Sequence, residues 1–92
     1  MQIRFEWDDS KEQINVRKHH IDFKTASRVF LDPNRIEYFD RKHSSLFESR
    51  YITIGMVHKI LTVIYTERND AIRIISARIA TKQEQEAYFR VY

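Results

Sequence analysis

The feature that most constrains the fold is a change in hydrophobic period at Arg35. From there to Ala77 the chain is rich in Ile, Val, Thr and Tyr, and apolar residues alternate with polar ones as in strands. Short turn signals interrupt the pattern, and Asn69-Asp70 is typical of a two-residue hairpin turn. Consecutive strands joined by short turns predict an antiparallel meander, whose strands we place at residues 36–39, 48–57, 60–68 and 71–77.

The segment before Arg35 begins with a predicted strand and a predicted helix. Apolar and polar residues alternate over residues 2–7, which is the pattern of a half-buried strand. The next residues, Asp8-Asp9-Ser10, offer N-cap side chains, and Glu12 follows Asp9 at capping-box spacing. We therefore expect a helix over residues 9–19.

Two further helices complete the predicted fold. Asp22 can cap a second helix, and Asp32-Pro33-Asn34 ends it because proline lacks a backbone donor. Thr81 and Glu84 form the capping-box pattern of a last helix. The order βααββββα predicts one α+β domain over residues 1–92, with helices on one face of the sheet. The second helix would present an apolar side made of Phe23, Ala26, Val29 and Phe30.

Composition excludes several classes of protein. The chain has no cysteine, so it can form neither a disulfide framework nor a thiol nucleophile. A single glycine excludes the glycine-rich loops that bind nucleotides and dinucleotides. The four histidines lack metal-ligand spacing, so we expect neither a metal site nor a cofactor. With no signal-peptide pattern and no apolar stretch of about 20 residues, we expect a cytoplasmic protein that does not enter the membrane.

Charge makes a polyanionic partner possible only if the cations cluster. Sixteen Lys and Arg residues oppose thirteen Asp and Glu residues, which gives a net charge of +3. If both hairpin loops of the meander have an even number of residues, strand register fixes the two faces of the sheet. One face would then carry Glu48, Arg50, Ile52, Ile54, Leu61, Val63, Tyr65, Ile72, Ile74, Ser76 and Arg78, and the other Tyr51, Thr53, Gly55, Thr62, Ile64, Thr66, Arg68, Arg73 and Ile75.

We expect the first, more aliphatic face to pack on the helices, with Glu48, Arg50 and Arg78 at strand ends where they can leave the core, and the second face to stay open. The open face would offer threonines, a tyrosine and two arginines, which suits a phosphate backbone with a stacked base. Composition alone favours a simpler interpretation, in which the sheet arginines form surface ion pairs with Glu48, Glu67 or Asp70. The cations at residues 17–20 are explained equally well by RNA contact and by the dipole of a helix C-terminus.

The order and spacing of many residues resemble the BrnT family of type II toxins over the whole chain. The segment from Arg73 to Thr81 is the most specific part of the resemblance. The residues that carry it are Phe5-Glu6-Trp7-Asp8, Lys11, Asn15, Lys18-His19, Phe23, Ala26, Phe30-Leu31-Asp32-Pro33, Glu48-Ser49-Arg50, Ile54-Gly55, Leu61, Arg68, Arg73-Ile74-Ile75-Ser76-Ala77-Arg78, Ala80-Thr81, Glu84 and Tyr88.

This resemblance implies a RelE-like fold and a metal-independent endoribonuclease that inhibits translation and growth. It also implies neutralisation by a BrnA-like antitoxin, a ribbon-helix-helix protein that supplies the DNA contacts, in a 2:2 heterotetramer. The antitoxin would cover the basic face of the sheet. The chain departs from the family at His20, where glycine usually follows Lys-His, and the departure concerns the backbone at the end of the first helix.

Metal-free RNA cleavage by the ribose 2′-hydroxyl requires a base, an acid and positive charge at the phosphorane. Arginine suits the last role because it stays charged and grips phosphate with two donors. We assign Arg68, Arg73 and Arg78 to transition-state stabilisation and Arg50 to phosphate binding. Arg73 and Arg78 are an odd number of positions apart, so a regular strand puts them on opposite faces. They share a site only if a β-bulge lies between them or if Arg78 lies past the last hydrogen bond of the strand.

The remaining candidate roles are those of proton transfer and RNA contact. Glu48 is the candidate base or the residue that orients Arg50, and His19 is the candidate acid if the first helix reaches the cleft. Lys18, Tyr51 and Thr66 are the candidate RNA-binding residues. Two alternatives stay open: an inert module that binds nucleic acid or protein through the same face, and a dimerisation domain whose arginines form only salt bridges.

Overall fold

The computed structural model describes residues 3–90 and has the predicted order of elements. The helix after Asp22 is shorter than predicted and continues as a 3₁₀ helix, Arg28–Leu31. None of the helices in this range is long and apolar enough to cross a bilayer. The elements are β1 (Arg4–Glu6), α1 (Asp9–His19), α2 (Phe23–Ser27), the 3₁₀ helix, β2 (Ile36–Phe39), β3 (Arg50–Val57), β4 (Lys59–Arg68), β5 (Ala71–Ile79) and α3 (Lys82–Arg90).

The strands form one sheet in the order β1-β5-β4-β3-β2. The predicted meander from β2 to β5 is confirmed, since each of these strands pairs antiparallel with the next. The first strand pairs parallel with β5, where Phe5 lies beside Ile72, so the sheet is mixed and not entirely antiparallel. The predicted α+β class is confirmed.

The helix caps follow the local sequence signals closely. Asp8, and not Asp9, caps α1 by accepting the Lys11 N–H at 3.0 Å. Glu12 accepts instead from the Phe23 N–H at 2.8 Å, which ties α1 to the start of α2. His20 ends α1 at φ 60° and ψ 30°, in the left-handed region that favours glycine.

The register of the sheet differs from the predicted one at two positions. A single residue, His58 at φ 63°, turns the chain between the paired residues Val57 and Lys59. This odd loop reverses the predicted alignment of faces between β3 and β4. In β5 the pairing shifts by one residue, so that Ile75 is an extra residue in a β-bulge. The Asn69-Asp70 turn has two residues at positive φ, as predicted for a tight hairpin.

Because of the one-residue loop and the bulge, the side chains of β3 and of the second half of β5 lie on the opposite faces from those predicted. The face that packs on α1, α2 and the 3₁₀ helix, here the helix face, carries Tyr51, Thr53, Gly55, Leu61, Val63, Tyr65, Ile72, Ile74 and Ala77. The opposite face, here the cleft face, carries Arg50, Ile52, Ile54, Thr62, Ile64, Thr66, Arg73, Ser76 and Arg78. The predicted open position of Tyr51 is therefore wrong, and so is the assignment of Arg50 and Arg78 to the face that packs on the helices.

Both faces of the sheet are covered at the end where β3 and β4 meet. On the helix face, a Cβ atom on Gly55 would lie only 2.8 Å from Val29, so this position accepts no side chain without a shift. On the cleft face, Tyr88 of α3 packs with Ile54 and Ile60 in a second buried cluster. The prediction that the helices share one face is wrong for α3. The rest of the cleft face stays open beside α3.

Candidate active site

The open part of the cleft face forms a cleft of about 420 Å³, here the arginine cleft. Its floor is apolar, with Ile52 and Ile64 at the centre, and arginines lie on either side of that floor. The bulge makes this arrangement because it turns Ser76 and Arg78 to the same face as Arg73. The residues that line the cleft are Asp40, Lys42, His43, Arg50, Ile52, Ile64, Ile75, Ser76 and Arg78.

A second groove runs beside α1 and shares Ile75, Ser76 and Arg78 with the arginine cleft. The Asn15 side chain holds α1 there, because it donates to the Ala77 carbonyl at 2.9 Å and accepts from the Ala77 N–H at 3.0 Å. The Asn15 amide thus forms hydrogen bonds with backbone groups at the edge of β5, past the end of the short strand β1. The first helix therefore reaches the cleft, and its groove is lined by Lys11, Ile14, Asn15, Lys18, His19, Ile75, Ser76 and Arg78.

Arg78 is held rigidly by a carboxylate from α3. Glu84 accepts from both terminal nitrogens of Arg78, at 2.6 and 3.0 Å. The same carboxylate accepts from the Thr81 N–H, and the Glu84 N–H donates to the Thr81 hydroxyl, so the predicted capping box is confirmed. Glu84 also accepts from the Thr62 hydroxyl, so it joins α3 to the sheet. The guanidinium is thereby fixed in orientation while about a third of its side chain stays exposed.

The Arg78 and Glu84 pair stays ionised over a wide range of pH. Burial by itself raises the pKa of Glu84, but hydrogen bonds from Arg78, the Thr81 N–H and the Thr62 hydroxyl outweigh it and lower the pKa to about 2. Hydrogen bonding to Glu84 raises the pKa of Arg78 above its usual value, against the opposite effect of burial.

Arg50 stands at the opposite side of the cleft, at the start of β3. Its Nε donates to Glu48 at 2.9 Å, so Glu48 lies where it can orient Arg50. The turn after β2 holds the backbone of Arg50 on both sides. The Asp40 N–H donates to the Arg50 carbonyl at 2.8 Å, and the Arg50 N–H donates to the Ser44 hydroxyl at 2.8 Å.

Arg73 lies on the cleft face in the same register row as Arg50. Arg50, Thr66, Arg73 and Glu6 are cross-strand neighbours in that order across four strands. The Arg73 guanidinium donates to Glu6 at 3.0 Å, and only about a quarter of its side chain is exposed. Thr66 is buried, and its hydroxyl donates to the Ser49 carbonyl at 2.6 Å, so the prediction that Thr66 lies on an open surface is wrong.

Four of the predicted site residues line a different groove, here the end groove, at the start of β3. They are Glu48, Tyr51, Thr66 and Arg68, together with Phe47, Ser49 and Glu67. Tyr51 stacks on Tyr65 of the core with the ring centroids 5.4 Å apart. Its partly buried ring belongs mainly to the packing of the helix face. The predicted set is thus divided among the arginine cleft, the α1 groove and the end groove, and Arg73 lines none of these three.

The two regions differ in charge. The arginine cleft and the α1 groove together are lined by five Lys and Arg residues and one carboxylate, whereas the end groove has one arginine and two glutamates. A phosphate backbone is attracted to the first region and not to the second. The cations of the first region are Lys11, Lys18, Lys42, Arg50 and Arg78.

Besides Lys42, the sequence-based prediction missed two polar residues of the cleft, Asp40 and His43. They lie three positions apart in the turn after β2, and the His43 Nδ1 is 2.9 Å from the buried Asp40 carboxylate. The spacing of Asp and His in a polar loop was the available signal. Over residues 3–90 no group of three or more His, Cys, Asp and Glu side chains is arranged to hold a metal ion.

The sequence profile of a protein family described as the ribonuclease toxin BrnT of type II toxin-antitoxin systems matches residues 7–84. The chain belongs to the BrnT family. It is therefore a ribonuclease toxin whose type implies an antitoxin partner. No curated protein is similar enough in sequence to match the chain.

A solved BrnT toxin has the same fold. The crystal structure of the Brucella abortus ribonuclease toxin BrnT superposes with a TM-score of 0.69 at 27% sequence identity. The match covers 88% of this chain and 100% of the Brucella chain. The BrnT family assignment thus agrees with both the sequence and the overall fold.

Proposed function

We propose that this BrnT toxin is a metal-independent endoribonuclease that binds single-stranded RNA in the arginine cleft. The observation that carries the proposal is the β5 bulge, which brings Arg73 and Arg78 to the face that also carries Arg50. Two fixed guanidinium groups on either side of an apolar floor suit a phosphate and the base next to it. The lysines of the α1 groove extend the positive surface along the backbone of the RNA.

The reaction is attack of a ribose 2′-hydroxyl on the adjacent phosphorus, with release of the 5′-oxygen. Arg78 and Arg50 stabilise the negative charge that develops on the phosphorane, and Arg78 is preorganised for this by Glu84. Arg73 adds positive charge from the same row as Arg50, although Glu6 partly neutralises it. His19 is the candidate acid, since its groove meets the cleft at Arg78.

The end groove has a minor role in this proposal. Arg68 is exposed and lies beside Glu48 and Glu67, which repel phosphate. Glu48 acts as the residue that orients Arg50, through the hydrogen bond to its Nε. We propose that Arg68 contributes only to loose contact with RNA outside the cleft.

Metal independence is proposed because arginines and lysines already supply the charge that a divalent ion would supply elsewhere. We further propose that cleavage takes place in the cytoplasm and inhibits translation and growth. These expectations come from the family resemblance and from the cationic cleft taken together.

The proposed antitoxin is a ribbon-helix-helix protein that covers the arginine cleft in a 2:2 complex and makes all the DNA contacts. Leu46 and Phe47, both 97% exposed, precede β3, and Phe47 lines the end groove. An acidic segment with apolar side chains would satisfy both the cations and these two residues. Such a cover would silence the toxin by excluding RNA from the cleft.

The test is incubation of the purified toxin with RNA in the presence of EDTA, beside an Arg78→Ala variant. We expect the toxin to cleave and the variant to be inactive, with products that end in a 2′,3′-cyclic phosphate and a 5′-hydroxyl. Cleavage that requires added Mg²⁺ would contradict the metal-independent mechanism. Equal cleavage by both proteins would place the chemistry outside the arginine cleft.

A further inference from the structure

The arginine cleft contains a histidine that is oriented by a carboxylate, and sequence reasoning assigned no role to it. His43 lies in the turn after β2, where its Nδ1 is 2.9 Å from the Asp40 Oδ2. Asp40 is buried and lines the cleft with His43. When the Nδ1 proton is donated to a carboxylate, the lone pair of a neutral imidazole lies on Nε2, which can then accept a proton.

The backbone around His43 fixes the imidazole relative to Arg50. The Asp40 Oδ1 accepts from the His43 N–H at 3.3 Å, and the Asp40 carbonyl accepts from the Ser44 N–H at 3.1 Å. The same turn is joined to Arg50 by the two hydrogen bonds of its backbone N–H and carbonyl. The turn that carries the imidazole and the backbone of Arg50 therefore belong to one hydrogen-bonded unit.

The other titratable groups near the cleft are less suited to accept a proton. Glu48 is engaged by Arg50 and lines the end groove. His19 has no hydrogen-bonded carboxylate within residues 3–90, and it lines the α1 groove on the other side of Arg78. Within the same range the His43 Nε2 makes no hydrogen bond, and more than half of the side chain is exposed to the cleft and solvent.

We propose that His43 is the general base of RNA cleavage and that Asp40 is its positioning residue. This assignment rests on the proposed function and replaces Glu48 in the role of base. The His43 Nε2 removes the proton of the ribose 2′-hydroxyl while the 2′-oxygen forms its bond to phosphorus. The bond from phosphorus to the 5′-oxygen breaks, the 5′-oxygen takes a proton from the acid, and His43 later returns its proton to solvent.

The experiment compares single-turnover cleavage of mixed-sequence, single-stranded RNA in EDTA by the toxin and its His43 variants. We expect His43→Ala and His43→Gln to cleave about 100-fold more slowly or worse, because a general base contributes on that order. Added imidazole should restore much of the rate to His43→Ala and leave His43→Gln slow, because only the shortened side chain leaves space for it. The matched control is Arg41→Ala, an exposed neighbour in the same turn, which should cleave within about threefold of the toxin.

A modified substrate separates the base from the acid. At the site where the toxin cleaves, the bridging 5′-oxygen is replaced by sulfur, whose thiolate leaves without protonation. The defect of His43→Ala should persist on this substrate, whereas the defect of His19→Ala should largely disappear. Loss of the His43→Ala defect on the sulfur substrate would overturn the assignment of His43 as base.

The role of Asp40 is tested by introducing Asp40→Asn both into the unaltered toxin and into the His43→Ala variant. Asp40→Asn keeps an oxygen that can accept the His43 N–H, so the turn is retained while the carboxylate is lost. It should cleave about tenfold more slowly than the toxin, yet cause no further loss in the His43→Ala background, because the two residues act as a unit. An equal loss in both backgrounds would show a structural role and overturn the positioning role.

The remaining outcomes separate this inference from the proposed function. If the unaltered toxin does not cleave RNA in EDTA, the proposed function itself fails. If the toxin cleaves and His43→Ala cleaves within about threefold of it, only the inference fails. The inference would also be overturned if His43→Ala is slow and added imidazole restores its rate on neither the unmodified RNA nor the sulfur substrate.

Discussion

The arginine cleft and the end groove lie on one sheet, yet they hold their arginines in different ways. In the cleft, Glu84 fixes Arg78 with two hydrogen bonds, and Glu48 contacts Arg50 through one. In the end groove, Arg68 forms no hydrogen bond or ion pair with any residue from 3 to 90, and the groove's other charged residues are the acidic Glu48 and Glu67. Catalysis requires charge that is already oriented before the reaction begins. An exposed arginine is therefore insufficient evidence for a catalytic site.

The largest difference between the two regions should be seen in cleavage by Arg78→Ala and Arg68→Ala. Removing a preorganised donor costs about 100-fold to 1,000-fold in rate, so Arg78→Ala should lose at least 100-fold. Arg68→Ala should stay within about threefold of the unaltered toxin, because its side chain is exposed. Single-turnover rates in EDTA check both values. Similar losses in the two variants would abolish the distinction between the regions.

The same contrast applies to the two glutamates that contact arginines. Since the folded-state pKa of Glu84 is about 2, against an ordinary value of 4.5, its ionised form stabilises the fold at neutral pH, by about 1 to 2 kcal/mol because solvent screens the partly exposed pair. This stabilisation is complete above about pH 4.5 and is lost as the pH falls towards 2. Glu84→Gln should therefore be less stable at pH 7 and approach the unaltered toxin at acidic pH.

The matched control for that experiment is Glu48→Gln, since Glu48 also binds an arginine but is exposed. It should change the free energy of unfolding by no more than about 0.5 kcal/mol. Urea unfolding at several pH values gives both comparisons. A stability difference between Glu84→Gln and the toxin that does not depend on pH would contradict the ionised pair.

A smaller effect is expected in the salt dependence of RNA binding. Each phosphate neutralised on a single strand adds about −0.7 to the slope of log affinity against log salt concentration. Arg50→Ala and Lys18→Ala should each make the slope shallower by about that amount, whereas Arg68→Ala should leave it nearly unchanged. Fluorescence anisotropy with RNA carrying 2′-O-methyl groups measures the slopes without cleavage. If the slope becomes shallower only in Arg68→Ala, the RNA phosphates lie in the end groove and not in the arginine cleft.

The smallest expected effect concerns the end of α1, whose last turn brings Lys18 and His19 to the cleft. Because His20 has φ 60°, His20→Gly should stabilise the protein by about 1 kcal/mol. Cleavage should be nearly unaffected, because the side chain lies outside the lining of the cleft. Thermal unfolding measures the gain. A destabilised variant would show that the His20 side chain has a role of its own.

The features that the sequence predicted correctly depend on residues close together in the chain. The caps at Asp22 and Thr81 and the turn at Asn69-Asp70 each involve contacts within about four residues. The element order follows from hydrophobic periodicity, which is also local. The parallel pairing of β1 with β5 and the packing of α3 on the cleft face involve distant segments, and no local pattern specifies them.

The faces of the sheet were predicted wrongly because a shift of one residue in the pairing moves every side chain of a strand to the opposite face. The turn at His58 has one residue where an even number was assumed, and Ile75 interrupts the alternation of β5. The sequence did contain a clue to the bulge. Arg73 and Arg78 have opposite parity on a central strand, and a bulge is one of the few ways to keep both out of the core.

The location of RNA decides most directly between the two regions. The measurement is a crystal structure of the toxin with a short RNA whose cleavage is blocked by a 2′-O-methyl group at the scissile position. The scissile phosphate should lie in the arginine cleft, with oxygens within about 3 Å of the Arg50 and Arg78 guanidinium groups. A scissile phosphate in the end groove, against Arg68 and away from Arg78, would contradict this account.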